Sequence, residues 1–188
     1  VDINEMPITA ELLCDIVFDP ALYPTRLNQT DGDDLVATSA CNYYENVTMK
    51  EAEDFYAAMA DPDDRQPISY GLNSKLTKDD SGKIVERTWR LGGMYSAAIQ
   101  HIIHWLTLAA QPQKNIIDAL INYYRTGDLR EFDRYNVLWV GDNTSNVDFV
   151  NGFIEDYGDP LGRKASWEGT VNFMDSTACR RTQIISQN

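Results

Sequence analysis

Residues Val147–Trp167 read VDFVNGFIEDYGDPLGRKASW, the stretch that decides our view of the fold. As a strand, its first part would place Phe153, Glu155 and Tyr157 on one face, because successive strand side chains point to opposite faces. The run then reaches Gly158-Asp159-Pro160, a turn signal, since proline removes a backbone donor and glycine tolerates positive φ. The stretch therefore predicts a strand and a turn, with an acid and a phenol side by side.

The rest of the chain alternates groups of predicted strands with groups of predicted helices. The predicted strands are Leu35–Tyr44, Ile68–Leu76, Ile84–Leu91 and Trp167–Phe173, with Asn136–Val140 leading into the central strand. We expect Trp167–Phe173 to neighbour the central strand across the Gly158–Ser166 loop. The predicted helices are Thr9–Val17 with Thr9 as N-cap, Thr48 to about Met59 after a Thr48/Glu51 capping box, Met94–Ala110, Gln113–Thr126 closed by Gly127, Leu129–Tyr135 capped by Asp128, and one that begins at Asp175. Without regular βαβ alternation, this order predicts an α+β fold: a mostly antiparallel sheet or partial β-barrel packed with several helices. We expect a single, truncated domain over residues 1–188.

The helix at Met94–Ala110 has the longest apolar periodicity in the chain. Ala98, Ile102, Trp105, Leu106 and Ala109 recur at the helical period. We therefore predict that this face packs into the core.

Charge and composition restrict the possible partners. The chain has 16 Lys+Arg against 29 Asp+Glu, a formal net charge of -13 that would repel a nucleic acid. An acidic field favours cationic partners, such as a peptide amino terminus, although such charge commonly serves solubility alone. No apolar run is long enough for a membrane span and no signal peptide is visible, so we expect a cytoplasmic location. The missing initiator methionine predicts a piece of a longer protein, which leaves export open. Cys14, Cys41 and Cys179 predict free thiols.

Two other groups of residues invite a functional interpretation. His101 and His104 lie at i, i+3 spacing, but a zinc site needs three or four protein ligands, and no third histidine or cysteine is near. We interpret them as flanking a packing helix and predict no metal bound by this chain. Arg163 and Lys164 fall in a late basic cluster, for which solvated positions are the default expectation.

Several segments resemble one family of enzymes. GFIEDYGDPLG (Gly152–Gly162) is similar to the Gly-Phe-Ile-Glu-x-Tyr-x-Asp-Pro segment of the dipeptidyl peptidase III family, zinc-dependent exopeptidases that release dipeptides from peptide N-termini. Segments Ser39–Met59, Ile68–Leu76 and Trp167–Asp175 resemble consecutive segments of bacterial members, in the same order. The family's His-Glu-x-x-Gly-His zinc motif and its later glutamate ligand do not occur in this sequence.

The resemblance implies a piece of such a peptidase. It implies the substrate-binding, non-zinc lobe, with zinc held by the missing lobe of the same polypeptide and no hydrolysis by this chain alone. It also implies that Glu155 and Tyr157 bind the N-terminal part of an oligopeptide and assist the transition state.

The spacing of Glu155 and Tyr157 fits such a role. Two residues along a strand span about 6.6–6.8 Å, roughly the length of a dipeptide. Glu155 would accept a hydrogen bond from the substrate ammonium, and Tyr157, as catalytic donor, would donate one to the developing oxyanion.

Two alternatives remain open at the level of the sequence. Without the resemblance, Glu155 and Tyr157 would be an ordinary half-exposed strand pair, since tyrosine is common in strands. A non-catalytic peptide-binding or interaction module, which takes up an extended peptide by strand addition, would use the same strand.

Overall fold

The computed structural model describes residues 8–19, 25–109 and 113–187. Its elements, in chain order, are α1 (Ala10–Phe18), α2 (Leu35–Thr38), β1 (Tyr44–Glu45), α3 (Met49–Ala57), β2 (Ser74–Lys78), β3 (Ile84–Thr88), α4 (Ser96–Thr107), α5 (Lys114–Thr126), α6 (Leu129–Gly141), β4 (Val147–Glu155), β5 (Ser166–Phe173) and α7 (Ser176–Ser186). The strands form one sheet in the order β1-β2-β3 and a second from β4 and β5. The α+β class is confirmed, with the strands divided between two small sheets.

The chain divides into two compact units. The first unit contains the chain up to Arg87 together with the segment Asp156–Lys164, and the second contains Thr88–Glu155 and Ala165–Asn188. The loop that joins β4 to β5 therefore belongs to the first unit, although both strands belong to the second. The expectation of one domain over residues 1–188 stays a prediction.

Local signals set the helix starts and the hairpin of the first unit. Thr9 caps α1 by accepting a hydrogen bond from the N–H of Leu12, as predicted. The capping box of α3 is confirmed, with the Thr48 hydroxyl and the Glu51 carboxylate each accepting from the other's backbone N–H. The turn between β2 and β3 is closed by the Asp79 N–H, which donates to the Lys83 carbonyl at 2.9 Å.

The predicted strand over Leu35–Tyr44 is wrong. Residues Leu35–Thr38 form α2, and only Tyr44 enters β1, opposite Leu76 of β2 in a parallel pair. Asp34 explains the difference, because its carboxylate accepts from the N–H groups of Val36 and Ala37 and so stabilises a helix start in a segment rich in strand-forming residues. The helix cap at Asp34 therefore outweighs the strand propensity of this segment.

The core of the first unit lies between α2, α3, β1 and β2. Its buried members are Val36, Tyr44, Val47, Ala52, Tyr56 and Leu76. Two of them are tyrosines whose hydroxyls need partners when buried. The site described below provides those partners.

Three helices dominate the second unit. Gly127 ends α5 in the left-handed conformation at φ 73°, and Asp128 caps α6 by accepting from the Arg130 N–H at 2.9 Å. Both signals were predicted, but α6 continues to Gly141, so the predicted lead-in at Asn136–Val140 is helical. Asp175 caps α7 as expected.

The predicted core face of α4 is wrong. Ile99 and Ile103 are the buried residues of this helix, whereas Trp105 is 70% exposed. Both faces of α4 carry apolar residues at the helical spacing, so the periodicity alone could not select the face that packs.

The strands β4 and β5 pair antiparallel, which confirms the prediction that they are neighbours. The register runs from Val147 opposite Phe173 to Phe153 opposite Trp167. A Cβ at Gly152 would lie 2.6 Å from a ring carbon of Phe132, so the strand approaches α6 too closely for any larger residue. Within the described ranges, no helix is long and apolar enough to cross a membrane.

Candidate functional site

Glu155 is the last residue of β4. The prediction that the strand continues to Tyr157 is therefore wrong. Phe153 pairs with Trp167 and Glu155 pairs with Ser166, so Ile154 is an extra residue in a β-bulge. The chain then turns, with the Asp159 N–H donating to the Asp156 carbonyl at 2.9 Å. The bulge and the turn end the regular alternation on which the shared face of Phe153, Glu155 and Tyr157 was based.

The two predicted site residues therefore lie in different surroundings. Glu155 is half-buried at the end of β4 in the second unit, and Tyr157 is 65% exposed in the loop segment of the first unit. Asp156 alone separates them in sequence, so covalent geometry limits their Cα atoms to about 7 Å apart. A carboxylate and an accessible phenol thus follow one another on the chain, no farther apart than about the length of a dipeptide.

Asp159 organises the loop that carries Tyr157. Its buried carboxylate accepts hydrogen bonds from the backbone N–H groups of Arg163 and Lys164, both at 2.8 Å. It also accepts from the Tyr44 hydroxyl at 2.9 Å. Burial, followed by the charge of Asp159, raises the pKa of Tyr44 far above its usual range, so this phenol stays a donor. The Asp159 side chain therefore links residues within the loop to each other and links the loop to β1.

Lys164, at the end of the same loop, is completely buried at 0% exposure, so the expected solvated position is wrong. Its ammonium lies 2.6 Å from the Tyr56 hydroxyl, 3.0 Å from both the hydroxyl and the carbonyl of Ser74, and 3.3 Å from the Gly71 carbonyl. These four oxygens exceed the three protons that an ammonium can donate. The charge is therefore fully surrounded by acceptors.

Glu86 supplies the opposite charge through two hydroxyls. Tyr56 and Ser74, which both accept from Lys164, donate to one Glu86 oxygen at 2.7 and 2.6 Å. The ammonium also lies 4.9 Å from the centre of the Tyr56 ring and 5.4 Å from that of Tyr44, within cation–π range. Burial lowers the pKa of Lys164 to about 8, against the attraction of Glu86 and Asp159.

A small polar recess adjoins the loop in the first unit. A Cβ at Gly158 would lie 3.6 Å from both a guanidinium nitrogen of Arg26 and the Tyr43 hydroxyl, and Cys41 and Asn42 complete the lining. Burial, followed by the charge of Asp159, raises the pKa of the Tyr43 phenol. The residue after Tyr157 therefore borders a space with a cation and a phenol.

The second unit has a larger, mostly apolar groove along β4, β5 and α4. Trp105, Phe149, Trp167 and Val171 are among its lining residues, and Asn151 supplies a polar group. The Trp167 indole N–H donates to the Tyr124 hydroxyl at 2.8 Å, and that hydroxyl donates to Asn151. One side of the groove is thus formed by β4 and β5, whose residues Asn151 and Trp167 both hydrogen-bond to Tyr124.

The histidines do not form a metal site with other residues of the described chain. His101 and His104 are both exposed on α4, and in the described ranges no three or more His, Cys, Asp or Glu residues are placed to hold a metal ion. Cys14 and Cys179 are exposed and Cys41 is half-buried, all as free thiols. The described residues therefore include no set of side chains that fits a catalytic zinc.

The sequence predicts Glu155 and Tyr157 as site residues, which stays a prediction, but it does not reveal the residues that hold the loop of Tyr157. Asp159 was interpreted only as part of a turn, and its position before Pro160 was the available signal. Nothing local marks Lys164 as buried, because Tyr56, its nearest acceptor, is 108 positions away in the sequence.

A sequence model of one enzyme family matches most of the chain. The family is described as Peptidase family M49, and the match covers residues 34–188. It therefore includes β4, the Asp156–Lys164 loop and the acceptors of Lys164.

Solved structures with a similar fold are larger than this chain. Dipeptidyl-peptidase III from Corallococcus sp. strain EGB matches with a TM-score of 0.55 and 19% identity, over 78% of this chain and 27% of that one. DPP III from Caldithrix abyssi matches with a TM-score of 0.58 and 18% identity, over 85% of this chain and 31% of that one. At such identities the similarity is one of fold, and the chain spans less than a third of each protein.

Proposed function

This chain belongs to peptidase family M49, and on that premise we propose that it is the substrate-binding lobe of a zinc-dependent exopeptidase that releases dipeptides from peptide N-termini. The observation that carries the proposal is the pair Glu155 and Tyr157, an acid and a 65% exposed phenol separated by one residue and so no farther apart than about the length of a dipeptide. The similarity in fold to two dipeptidyl-peptidase III structures supports it.

We assign Glu155 to the substrate amino terminus. A carboxylate that accepts from an ammonium makes a charge-assisted hydrogen bond, shorter and stronger than a neutral one. The net charge of -13 adds a long-range attraction for a cationic peptide end. A substrate held by its first ammonium would be positioned for cleavage after a fixed number of residues.

We assign Tyr157 to the carbonyl of the second residue. A phenol O–H can donate a hydrogen bond to the oxygen on which negative charge develops. Its exposure leaves the hydroxyl accessible to a substrate. Tyr157 would then act mainly in the transition state and Glu155 mainly in binding.

The zinc of family M49 must come from another part of the polypeptide under this proposal. In the described ranges no side-chain cluster fits a metal ion. We therefore expect the isolated chain to bind no catalytic zinc and to hydrolyse no peptide, because the attacking water and the oxyanion donors must act together. The missing zinc-binding lobe would be its main protein partner.

A non-catalytic binding module is the second candidate function. It is favoured by the two-stranded sheet, in which β4 and β5 each have one neighbour among the described residues. Such edges can accept an extended peptide by strand addition. A module of this kind would bind peptides whether or not their amino terminus is free.

The amino terminus of the substrate separates the two functions. We expect the full-length zinc enzyme to release dipeptides from a free peptide and to leave the N-acetylated peptide intact, as seen by mass spectrometry of the products. Glu155→Gln should raise KM by about 10- to 100-fold, the usual strength of a hydrogen bond to a charged group. Asp156→Asn is the matched control, since it removes the same charge at the exposed next residue. Equal cleavage of both peptides would contradict the role of Glu155.

A further inference from the structure

The loop that carries Tyr157 is joined to the first unit by two buried charged residues. Asp159, 3% exposed, and Lys164, 0% exposed, are the charged side chains among the buried polar residues. Burying an ion costs several kcal/mol even after relaxation, unless it is paired and hydrogen-bonded. Two such residues within one nine-residue segment, Asp156–Lys164, indicate that a defined loop geometry is maintained at a cost in stability.

Each of the two charges fixes one part of the loop. Asp159 holds the backbone N–H groups of Arg163 and Lys164 and reaches Tyr44 of β1. Lys164 joins the end of the loop to Tyr56 of α3 and to Ser74 at the start of β2. Tyr157 lies two residues before Asp159, so its backbone is fixed by a loop with attachments to three elements.

The surroundings of Tyr56 show that this geometry is closely specified. A Cβ at Gly71, where φ is +95°, would lie 2.8 Å from a ring carbon of Tyr56, so the ring is held against the backbone that also provides an acceptor to Lys164. Arg163 covers the same ring, with its guanidinium carbon 4.6 Å from the ring centre. A displaced ammonium would therefore move both the ring and the loop.

We propose that Lys164 is a positioning residue for catalysis, which acts through Tyr56, Ser74 and Glu86 to hold the Asp156–Lys164 loop so that the Tyr157 phenol meets the substrate carbonyl. This inference rests on the proposed role of Tyr157. Lys164 itself is fully buried and touches no substrate. Its contribution is the fixed placement of a donor, and misplacing a catalytic group by 1 Å costs on the order of 100-fold in rate.

The test is a double-mutant cycle in the full-length zinc enzyme, with a dipeptide joined to a fluorogenic amine as substrate. Lys164→Met keeps the length and apolar stem of the side chain and removes the ammonium. We expect kcat to fall by about 10- to 100-fold with little change in KM, because the misplaced donor acts in the transition state. We expect Lys164→Met combined with Tyr157→Phe to be no slower than Tyr157→Phe alone.

The outcomes separate this inference from the proposed function. If Tyr157→Phe is impaired but Lys164→Met retains full kcat, or if the two losses multiply, Lys164 has no positioning role and the proposed function stands. If Tyr157→Phe is fully active, the proposed function fails and the positioning role fails with it. Multiplied losses are what a purely structural residue would produce.

A second pair of variants keeps the test valid if Lys164→Met does not fold. Tyr56→Phe removes the hydroxyl between Lys164 and Glu86 and leaves the ring in place. Tyr135→Phe is its matched control, because both tyrosines are 2% exposed and Tyr135 belongs to the second unit. We expect Tyr56→Phe, and not Tyr135→Phe, to lower kcat and to show the same lack of additivity with Tyr157→Phe. Equal kcat in the two variants would overturn the inference.

Discussion

The two units of this chain are stabilised by different kinds of interaction. All the buried polar and charged side chains of the described residues, namely Ser39, Asn73, Ser74, Thr77, Asp159 and Lys164, belong to the first unit. The buried side chains of the second unit are aliphatic or aromatic, with ring centres 4.6 Å apart for Tyr123 and Phe132 and 5.8 Å apart for Phe132 and Tyr135. Tyr124 adds hydrogen bonds with Trp167 and Asn151. Hydrogen bonds are directional, so they specify one arrangement of the side chains. Ring packing specifies mainly the volume that the side chains must fill.

This difference coincides with the division of the proposed roles. The first unit contains Tyr157, whose proposed role as donor to a developing charge would require precise placement. The second contains Glu155, whose proposed attraction to an ammonium would tolerate small displacements. The hydrogen bonds that hold the loop of Tyr157 and the packed core of the unit that contains Glu155 fit these requirements.

The largest effect is expected from breaking the buried network at Asp159. Asp159→Ala would leave the Tyr44 hydroxyl and two backbone N–H groups without their acceptor and remove a neighbouring negative charge from Lys164. We expect a loss of about 3–5 kcal/mol in the free energy of unfolding, measured with urea. Asp156→Ala, at an exposed position of the same loop, should change it by less than about 0.5 kcal/mol. Similar losses in both variants would contradict the network.

A smaller effect is expected from a volume change in the second unit. Gly152→Ala places a methyl group 2.6 Å from a ring carbon of Phe132, so the ring stack or β4 must move. Overpacking of this kind costs about 1–3 kcal/mol, which thermal unfolding would detect. Gly141→Ala adds the same methyl where no atom lies within 4 Å and should leave the melting temperature nearly unchanged. A stable Gly152→Ala variant would show that the second unit tolerates added volume.

A pH dependence of no greater size is expected from one residue of the first unit. Burial lowers the pKa of Lys164 to about 8 in the folded state, from its usual value of 10.5. Between these values the unfolded chain binds more protons, so stability should rise with pH from about 8 to 10 by about 1–3 kcal/mol. The groups that face Lys164 are Glu86, Asp159, Arg163, Tyr44 and Tyr56.

Lys164→Met supplies the reference for that measurement, because it keeps every other titrating group. The difference in the free energy of unfolding between wild type and variant should favour the wild type increasingly as pH rises from 8 to 10. A constant difference over this range would mean that Lys164 keeps its proton in the folded state, paired with Glu86.

The features predicted correctly from sequence depend on neighbouring residues. The caps at Thr9, Thr48 and Asp128 and the helix end at Gly127 need only a side chain or a glycine within a few positions. The pairing of β4 with β5 follows in the same way from two strand-like runs joined by a turn. The family resemblance of Gly152–Gly162 is likewise carried by a contiguous segment, and the roles it implies for Glu155 and Tyr157 stay predictions.

The features that were missed depend on distant residues or on one extra residue. The bulge at Ile154 changes which side chains share a face, but it leaves the sequence pattern of β4 unaltered. The buried face of α4 depends on what packs there, and both faces are apolar. Lys164 is buried because Tyr56 and Ser74 fold around it from 108 and 90 positions away. None of these partners can be identified without the fold.

The most direct test of the central claim is the kcat of Tyr157→Phe in the full-length zinc enzyme. Loss of one donor to a developing oxyanion lowers kcat by about 10²- to 10³-fold, and we predict that loss with little change in KM. Tyr95→Phe is the matched control, since Tyr95 is also exposed, at 54%, and lies in the second unit. A Tyr157→Phe enzyme with the kcat of the wild type would contradict the account.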